Sequence, residues 1–293
     1  VEHFLNVFPF LCDMTERPNF IRATLTERVN FCDDVAAFRF KPDTQLAFTP
    51  GQYATIGMED GEKFIQRAYS IVSAPHEEHL ELYIELVSEG LMTPRLWDLK
   101  AGDQIFVKNK VIGTFVLQEK TGMKNHVMAS TVTGVGPSVS IARAQRHALA
   151  NGSITAAQAH KILVVHGASR SWELGSYLDE MNELAKEDWF SYVPTISRPW
   201  EDAAWTGETG RVEDVLRKHA DALGFDHTNA VGYACGHPQM IENTKGIFAR
   251  ARFPKEHTKE EKYFVIRPNA PSPAAATNGA ANGTTKAAHA EEH

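Results

Sequence analysis

Near Met123 the chain changes rhythm, and that change constrains the fold more than any other feature of the sequence. From Phe20 to Leu117, short runs rich in β-branched and aromatic residues occupy 20–31, 35–40, 53–57, 68–72, 80–86 and 104–107. Turn signals such as Pro50-Gly51 and Ala101-Gly102-Asp103 separate them. Short strands at this spacing predict an antiparallel barrel or sandwich. After Met123, apolar strand candidates at 127–131, 161–166, 192–196 and 230–235 alternate with helix-like stretches at 139–149, 173–186, 211–219 and 239–251. That alternation predicts βαβ units on a parallel sheet.

The expected architecture is therefore β followed by α/β: an N-terminal extension over 1–16, a β domain over 17–120, an α/β domain over 121–266 and a tail over 267–293. A chain of 293 residues has room for two such cores. From Pro268 onward the sequence is Ala, Asn, Gly, Thr and Pro with no large apolar residue, so disorder is expected there.

Several function classes are disfavoured at once. No apolar run approaches the roughly 20 residues of a bilayer span, and the apolar segment 4–11 is short and lacks a basic flank, a poor leader. A formal charge of −7 argues against nucleic acid. Two local basic groups stand out, Lys100, Lys108 and Lys110 in one stretch and Arg250, Arg252 and Lys255 in another; either also fits ordinary solvated charge. Cys12, Cys32 and Cys235 are sparse and far apart. They suit a reducing cytoplasm rather than a disulfide framework, and a plant-type iron–sulfur cluster would need four patterned cysteines. No metal site is expected, and any one-electron partner must be another molecule.

Four constellations carry candidate chemistry. Arg67-Ala68-Tyr69-Ser70 combines a phosphate-pairing guanidinium, an aromatic face and a hydroxyl donor, though the four also describe an exposed strand end. Gly90-Leu91-Met92-Thr93-Pro94-Arg95-Leu96 offers close backbone approach and amides at a helix start, or else a plain helix N-terminus capped by Thr93. Thr131-Val132-Thr133-Gly134-Val135-Gly136-Pro137 follows the first α/β strand, where a parallel sheet binds nucleotide. Cys235-Gly236-His237-Pro238-Gln239-Met240 follows a later strand; a buried structural thiol is the ordinary fate of such a cysteine.

Taken in order, these residues resemble the ferredoxin–NADP reductase family, in its bacterial branch. Phe48-Thr49-Pro50-Gly51-Gln52-Tyr53, Ser197-Arg198 and Glu261-Lys262-Tyr263-Phe264 complete the pattern, which covers about residues 17–264. The resemblance implies an FAD-binding antiparallel barrel, a parallel-sheet NADP(H)-binding domain, and electron exchange between NADPH and ferredoxin or flavodoxin. It implies that Arg67 pairs with the FAD pyrophosphate, with Ala68 in the same box, that Tyr69 packs on the isoalloxazine and that Ser70 lies near N5. Gly90, Met92 and Thr93 would hold the FAD phosphates. Thr133 and Gly134 would shape the nicotinamide pocket, Cys235 would lie beside C4, Glu261 would handle a proton and Phe264 would cover the flavin. Ser197 and Arg198 would take the 2′-phosphate, where NAD sites often carry an acid.

Some positions depart from the family pattern. Val132 stands where a glycine is usual, and Arg170 lies one place later than the usual arginine, after Ser169. The alternatives are a free-flavin reductase, the reductase component of an oxygenase, and a nucleotide-binding regulatory subunit without turnover. A monomer is expected.

Overall fold

The computed structural model describes residues 17–61 and 63–262. The N-terminal extension, the tail and Phe264 lie outside the described residues.

The first half is one antiparallel sheet of six strands: β1 (Phe20–Asn30), β2 (Val35–Pro42), β3 (Tyr53–Asp60), β4 (Lys63–Ser70), β5 (Leu80–Glu85) and β6 (Gln104–Lys108), in the order β4-β3-β6-β1-β2-β5. Just past β4 the chain swings to the opposite edge. Ile71 bridges Leu82, and the Val72 amide donates to the Glu81 carbonyl at 2.9 Å. The sheet thereby curls into a barrel and its edges are covered. A bulge between Leu25 and Glu27 bends β1 to follow the curl. Phe38, Phe40, Ile56, Leu82, Leu96 and Val107 fill the interior, and the short helix α1 (Thr93–Asp98) connects β5 to β6.

The second half is a parallel sheet of β7 (Asn125–Thr131), β8 (Lys161–Ala168), β9 (Phe190–Ile196), β10 (Glu208–Thr209), β11 (Ala230–Gly236) and β12 (Thr258–Lys262), ordered β10-β9-β8-β7-β11-β12. Strands covered on both faces need near-continuous apolar sequence, and Ile162–Val165 supplies it. On one face pack helices α2 (Gly136–Ala150) and α3 (Tyr177–Leu184), together with the barrel: Val35, Ala37, Val72, Tyr83 and Phe115 share a core with Val139, Tyr177 and Tyr233. On the other face pack α4 (Val212–Ala222) and α5 (Pro238–Arg250). The chain lays β7 to β10 outward in sequence and then places β11 on the far side of β7. That reversal opens a crevice at the C-terminal ends of β7 and β11, the switch point where such sheets bind ligands.

Some expectations need correction. The strand expected at 68–72 begins instead at Lys63, so Arg67–Ser70 ends β4 rather than starting it. The stretch 173–186 divides into a 3-10 turn, Ser171–Leu174, and α3. The polar β12 and the two-residue β10 carry no apolar run that a sequence pattern could register.

Candidate active site

Ser70 ends β4 at the seam between the two halves. Its hydroxyl donates to Glu261 Oε2 at 3.3 Å, although the residues lie 191 positions apart. Glu261 sits on β12 directly beside Cys235 on β11. Its other oxygen, Oε1, is buried without a hydrogen-bond partner among the described residues. Burial pushes the Glu261 carboxyl up to about 7, against the opposing effect of the Ser70 hydrogen bond. Gly113 closes over the same oxygen: a Cβ there would stand 3.0 Å from Oε1. A buried carboxyl raised toward neutrality beside a hydroxyl has the chemistry that handling a proton requires. Cys235 is wholly buried, and its side chain belongs to the core shared by barrel and sheet.

The loop after β7 packs hard against the end of β11. A Cβ on Gly134 would fall 2.3 Å from the Cys235 carbonyl oxygen, so only glycine permits this approach. Thr133 is buried next to it. Val132 lies at φ +42°, a left-handed conformation that costs a β-branched residue about 1–2 kcal/mol. Its carbonyl accepts a 2.8 Å hydrogen bond from Nε2 of the buried His166, whose Nδ1 lies 2.9 Å from the Tyr192 hydroxyl. Burial pushes His166 down to about 4, so its Nδ1 can accept from Tyr192. The loop is held in the shape a glycine would adopt freely, which is the physical content of the Val132 departure.

On the barrel side, Arg67 and Ala68 are exposed and Tyr69 is half-buried against the barrel core. Arg67 donates to the Gln66 carbonyl at 2.7 Å and pairs with no carboxylate among the described residues. Thr93 does not cap α1, contrary to the plain-helix reading; Met92 stands at the cap and buries its side chain. The Thr93 hydroxyl donates to the Val87 carbonyl at 3.1 Å and accepts from the Val87 amide at 2.9 Å, tying the Val87–Thr93 loop. The Gly90 amide donates to the same carbonyl at 2.8 Å. Backbone amides rather than the Thr93 hydroxyl are thus what this segment offers an anion.

At the far end of the crevice the loops after β8 and β9 meet. The Ser197 amide donates to the Ala168 carbonyl and the Arg198 amide to the Ser169 carbonyl, each at 3.0 Å. Arg170 Nε donates to Glu201 Oε2 at 2.6 Å, and Arg198 Nη1 stands 3.6 Å from Glu201 Oε1. Arg170 and Arg198, separated in sequence, are therefore neighbours. The register of β10 on β9 sets Glu208 beside Thr195 and Thr209 beside Ile196, so the chain leaves β10 at the same end of the sheet as Ser197 and Arg198.

Not every basic candidate belongs here. Arg250 and Arg252 line a hollow of about 310 Å³ with Leu216, Phe225 and Phe248, between α4 and α5 on the face turned from the barrel. Lys100 lies before the start of β6 and Lys108 is its last residue, so the expected trio is spread along the strand, while Lys110 is three residues from Gly113.

A cofactor pair fits this arrangement. Arg67, which has no carboxylate partner among the described residues, and the half-buried Tyr69 share one side of β4, and the Glu261 oxygen without a partner among those residues and the switch-point crevice adjoin its end. Two family descriptions match the chain, an oxidoreductase FAD-binding domain over residues 22–116 and an oxidoreductase NAD-binding domain over 128–246. Fold, site and matches define a flavin- and nicotinamide-binding oxidoreductase. The flavodoxin/ferredoxin–NADP reductase of Buchnera aphidicola subsp. Baizongia pistaciae is 30% identical over 221 residues, 73% of this chain and 84% of that protein. That of Escherichia coli K12 is 32% identical over 209 residues, 68% of this chain and 78% of that protein. A crystal structure of a ferredoxin NADP+ reductase from Neisseria gonorrhoeae with bound FAD and NADP shares the fold, with TM-score 0.73, 22% identity, 85% of this chain covered and 100% of the other. The chain belongs to the flavodoxin/ferredoxin–NADP reductase family.

Proposed function

We propose that this protein is a cytoplasmic, monomeric reductase that exchanges electrons between NADPH and a ferredoxin or flavodoxin. The observation that carries the reading is the Ser70–Glu261 pair. It joins the last residue of a barrel strand to the strand beside Cys235, where two rings held by the two halves would meet. No helix among the described residues is long and apolar enough to cross a membrane. The domain limits that go with this reading are 17–120 for FAD and 121–266 for NADP(H).

Bound FAD supplies the conversion between two-electron and one-electron chemistry. The chain's own residues bind, orient and handle the proton. Arg67 pairs with the pyrophosphate, assisted by Ala68 and by the Gly90, Met92 and Thr93 backbone. Tyr69 would pack on the flavin ring, and Ser70 would offer its hydroxyl to N5. Thr133 and Gly134 would shape the nicotinamide side, with Cys235 on the strand beside Glu261. Glu261 holds a proton at the orphaned oxygen. Ser197, Arg198 and Arg170 receive the 2′-phosphate. Phe264 as a cover for the flavin rests on the family resemblance alone.

The test is optical. Purified protein should show flavin absorbance that NADPH bleaches and that oxidised ferredoxin or flavodoxin restores; absence of flavin bands after reconstitution with FAD would overturn the reading. Arg67→Ala and Tyr69→Ala should each lose flavin on gel filtration, by about tenfold or more in affinity for the arginine, a charge-assisted contact worth about 1.5–3 kcal/mol. Full occupancy in both variants would remove them from the site.

For the carrier, the candidate basic segment is Lys108 and Lys110, which leads into Gly113, where an added Cβ would stand 3.0 Å from the Glu261 carboxyl. An acidic carrier docked there should be reduced more slowly as salt rises, because exposed charges are screened over about 8–10 Å. Lys108→Glu with Lys110→Glu should slow carrier reduction and leave NADPH-driven bleaching unchanged. A salt-independent rate that survives both reversals would place docking elsewhere.

A further inference from the structure

The loops that end β8 and β9 hold two arginines and two glutamates, and the two glutamates are not equivalent. Glu173 is committed to the backbone: its Oε2 accepts the Ser169 amide at 2.8 Å and the Arg170 amide at 3.4 Å, while Oε1 pairs with Arg170 Nη1 at 2.9 Å. Removing it would untie the turn that presents Arg170. The Glu201 carboxylate makes its contacts with guanidinium groups: Arg170 through Nε at 2.6 Å and through Nη2, and Arg198 through Nη1 at 3.6 Å. It is also about one-third exposed, as is Arg170, and Arg198 is nearly half exposed. Glu201 therefore bridges the two arginines from the solvent side, as a single anion with two cationic partners.

We propose that Glu201 is a specificity-determining residue: its carboxylate occupies the position between Arg170 and Arg198 that the 2′-phosphate of NADP(H) would take, and the phosphate must displace it. The inference rests on the reading of Arg170 and Arg198 as the 2′-phosphate site. The same carboxylate is the kind of acceptor that a dinucleotide without the phosphate uses for its ribose 2′-hydroxyl. One site thus carries the acid of an NAD pocket and the guanidinium pair of an NADP pocket. The phosphate gains its guanidinium partners only if Arg170 and Arg198 give up the pairing they already make with Glu201. Discrimination between the two dinucleotides is blunted by the protein's own anion. A dinucleotide without the phosphate leaves no cation bare in the pocket, because Glu201 already pairs with both arginines.

Glu201→Gln keeps the shape and removes the charge, and the Glu173 ties still present Arg170. Binding of adenosine 2′,5′-diphosphate, followed by titration calorimetry and by the fluorescence of Trp172, whose ring lies 5.8 Å from the Arg170 guanidinium, reads the site without turnover. Glu201→Gln should bind this probe about tenfold more tightly at low salt, a gain that shrinks as salt rises, and bind 5′-AMP no more tightly than the parent. Glu201→Ala should show the same gain. Arg198→Ala, measured alongside, should weaken the probe about tenfold or more and leave 5′-AMP alone. In the holoenzyme the ratio of kcat/KM for NADPH to that for NADH should rise in Glu201→Gln. If Arg198→Ala weakens the diphosphate but neither Glu201 variant tightens it, the inference fails and the phosphate site stands. If Arg198→Ala has no effect, the phosphate-site reading fails and takes the inference with it.

Discussion

Glu261→Gln should lower NADPH-driven flavin reduction by about a hundredfold or more near pH 6 and flatten its pH dependence between pH 6 and 8. The size follows from what one positioned proton-handling group contributes; the window follows from a carboxyl pushed up to about 7 by burial. Ser70 sharpens the test. Its hydroxyl donates to the carboxylate and so favours the charged form. Ser70→Ala should therefore move the kinetic inflection upward in pH, whereas loss of a merely structural contact would leave it in place. Stability has its own sign. A folded-state value above the unfolded one means the native protein binds the proton more tightly. This contribution is full below about pH 4.5 and is lost as pH rises through about 7. Glu261→Gln should thus be more stable than the parent at pH 8, by about 3.5 kcal/mol at most, given about 1.4 kcal/mol per pKa unit. A variant that is equally stable at pH 5 and pH 8, relative to the parent, with an unchanged rate profile would show that Glu261 is already ionised and idle.

What the sequence disclosed and what it withheld divide along physical lines. The two-period rhythm was readable because strands with one or two buried faces need apolar residues at fixed intervals, and β8 and β11 supply them without interruption. The Thr131–Gly134 and Cys235–Gly236 turns were readable because close backbone approach demands glycine, and a Cβ on Gly134 would collide with the Cys235 carbonyl. β12 was not readable: Thr258–Lys262 is polar throughout and is a strand only because β11 offers it an edge. Arg170 and Arg198 were both readable as candidates for the dinucleotide, but their bridge through Glu201, 31 residues from Arg170, was hidden, since no local pattern encodes a three-body contact. The separation of Lys100 from Lys108 shows the converse. Proximity in sequence did not survive the extended strand that leads to Lys108.

Arg143→Ala should destabilise the protein by about 3 kcal/mol at pH 7, more than any surface charge change, because breaking a buried ion pair strands its partner. Arg143 lies on α2, and its guanidinium donates to Glu180 of α3 at 2.6 and 2.8 Å, and to Glu77 at 3.2 Å and Glu81 at 3.3 Å on the barrel. Glu81 is the critical neighbour, with a side chain only 4% exposed. Burial alone would push its carboxyl up, but Arg143, the Tyr177 hydroxyl at 2.7 Å and Arg39 at 2.8 Å outweigh that and hold it below the ordinary carboxylate value. A depressed value gives stability that is present above the unfolded pKa and is lost as pH falls through the folded one. Without Arg143 the Glu81 carboxylate keeps two partners but loses its nearest compensation from α2, so burial regains ground and its pKa rises. The deficit of the variant should then be largest at pH 7 and shrink toward pH 4, where a protonated Glu81 no longer needs the cation. Denaturant unfolding of parent and variant at the two pH values makes the comparison, and Glu180→Gln, whose side chain is about one-third exposed, should cost much less. An equal deficit at both pH values would assign the effect to lost packing of the arginine stem instead of to the ion network. The same network spans the two halves, from α2 and α3 to the residues that flank the barrel's closing bridge at Ile71 and Leu82. Loosening it should slow NADPH-driven reduction while flavin content stays full, since a displacement of about 1 Å between reacting groups costs as much as a hundredfold in rate, and nothing that Arg143 touches is assigned to the flavin.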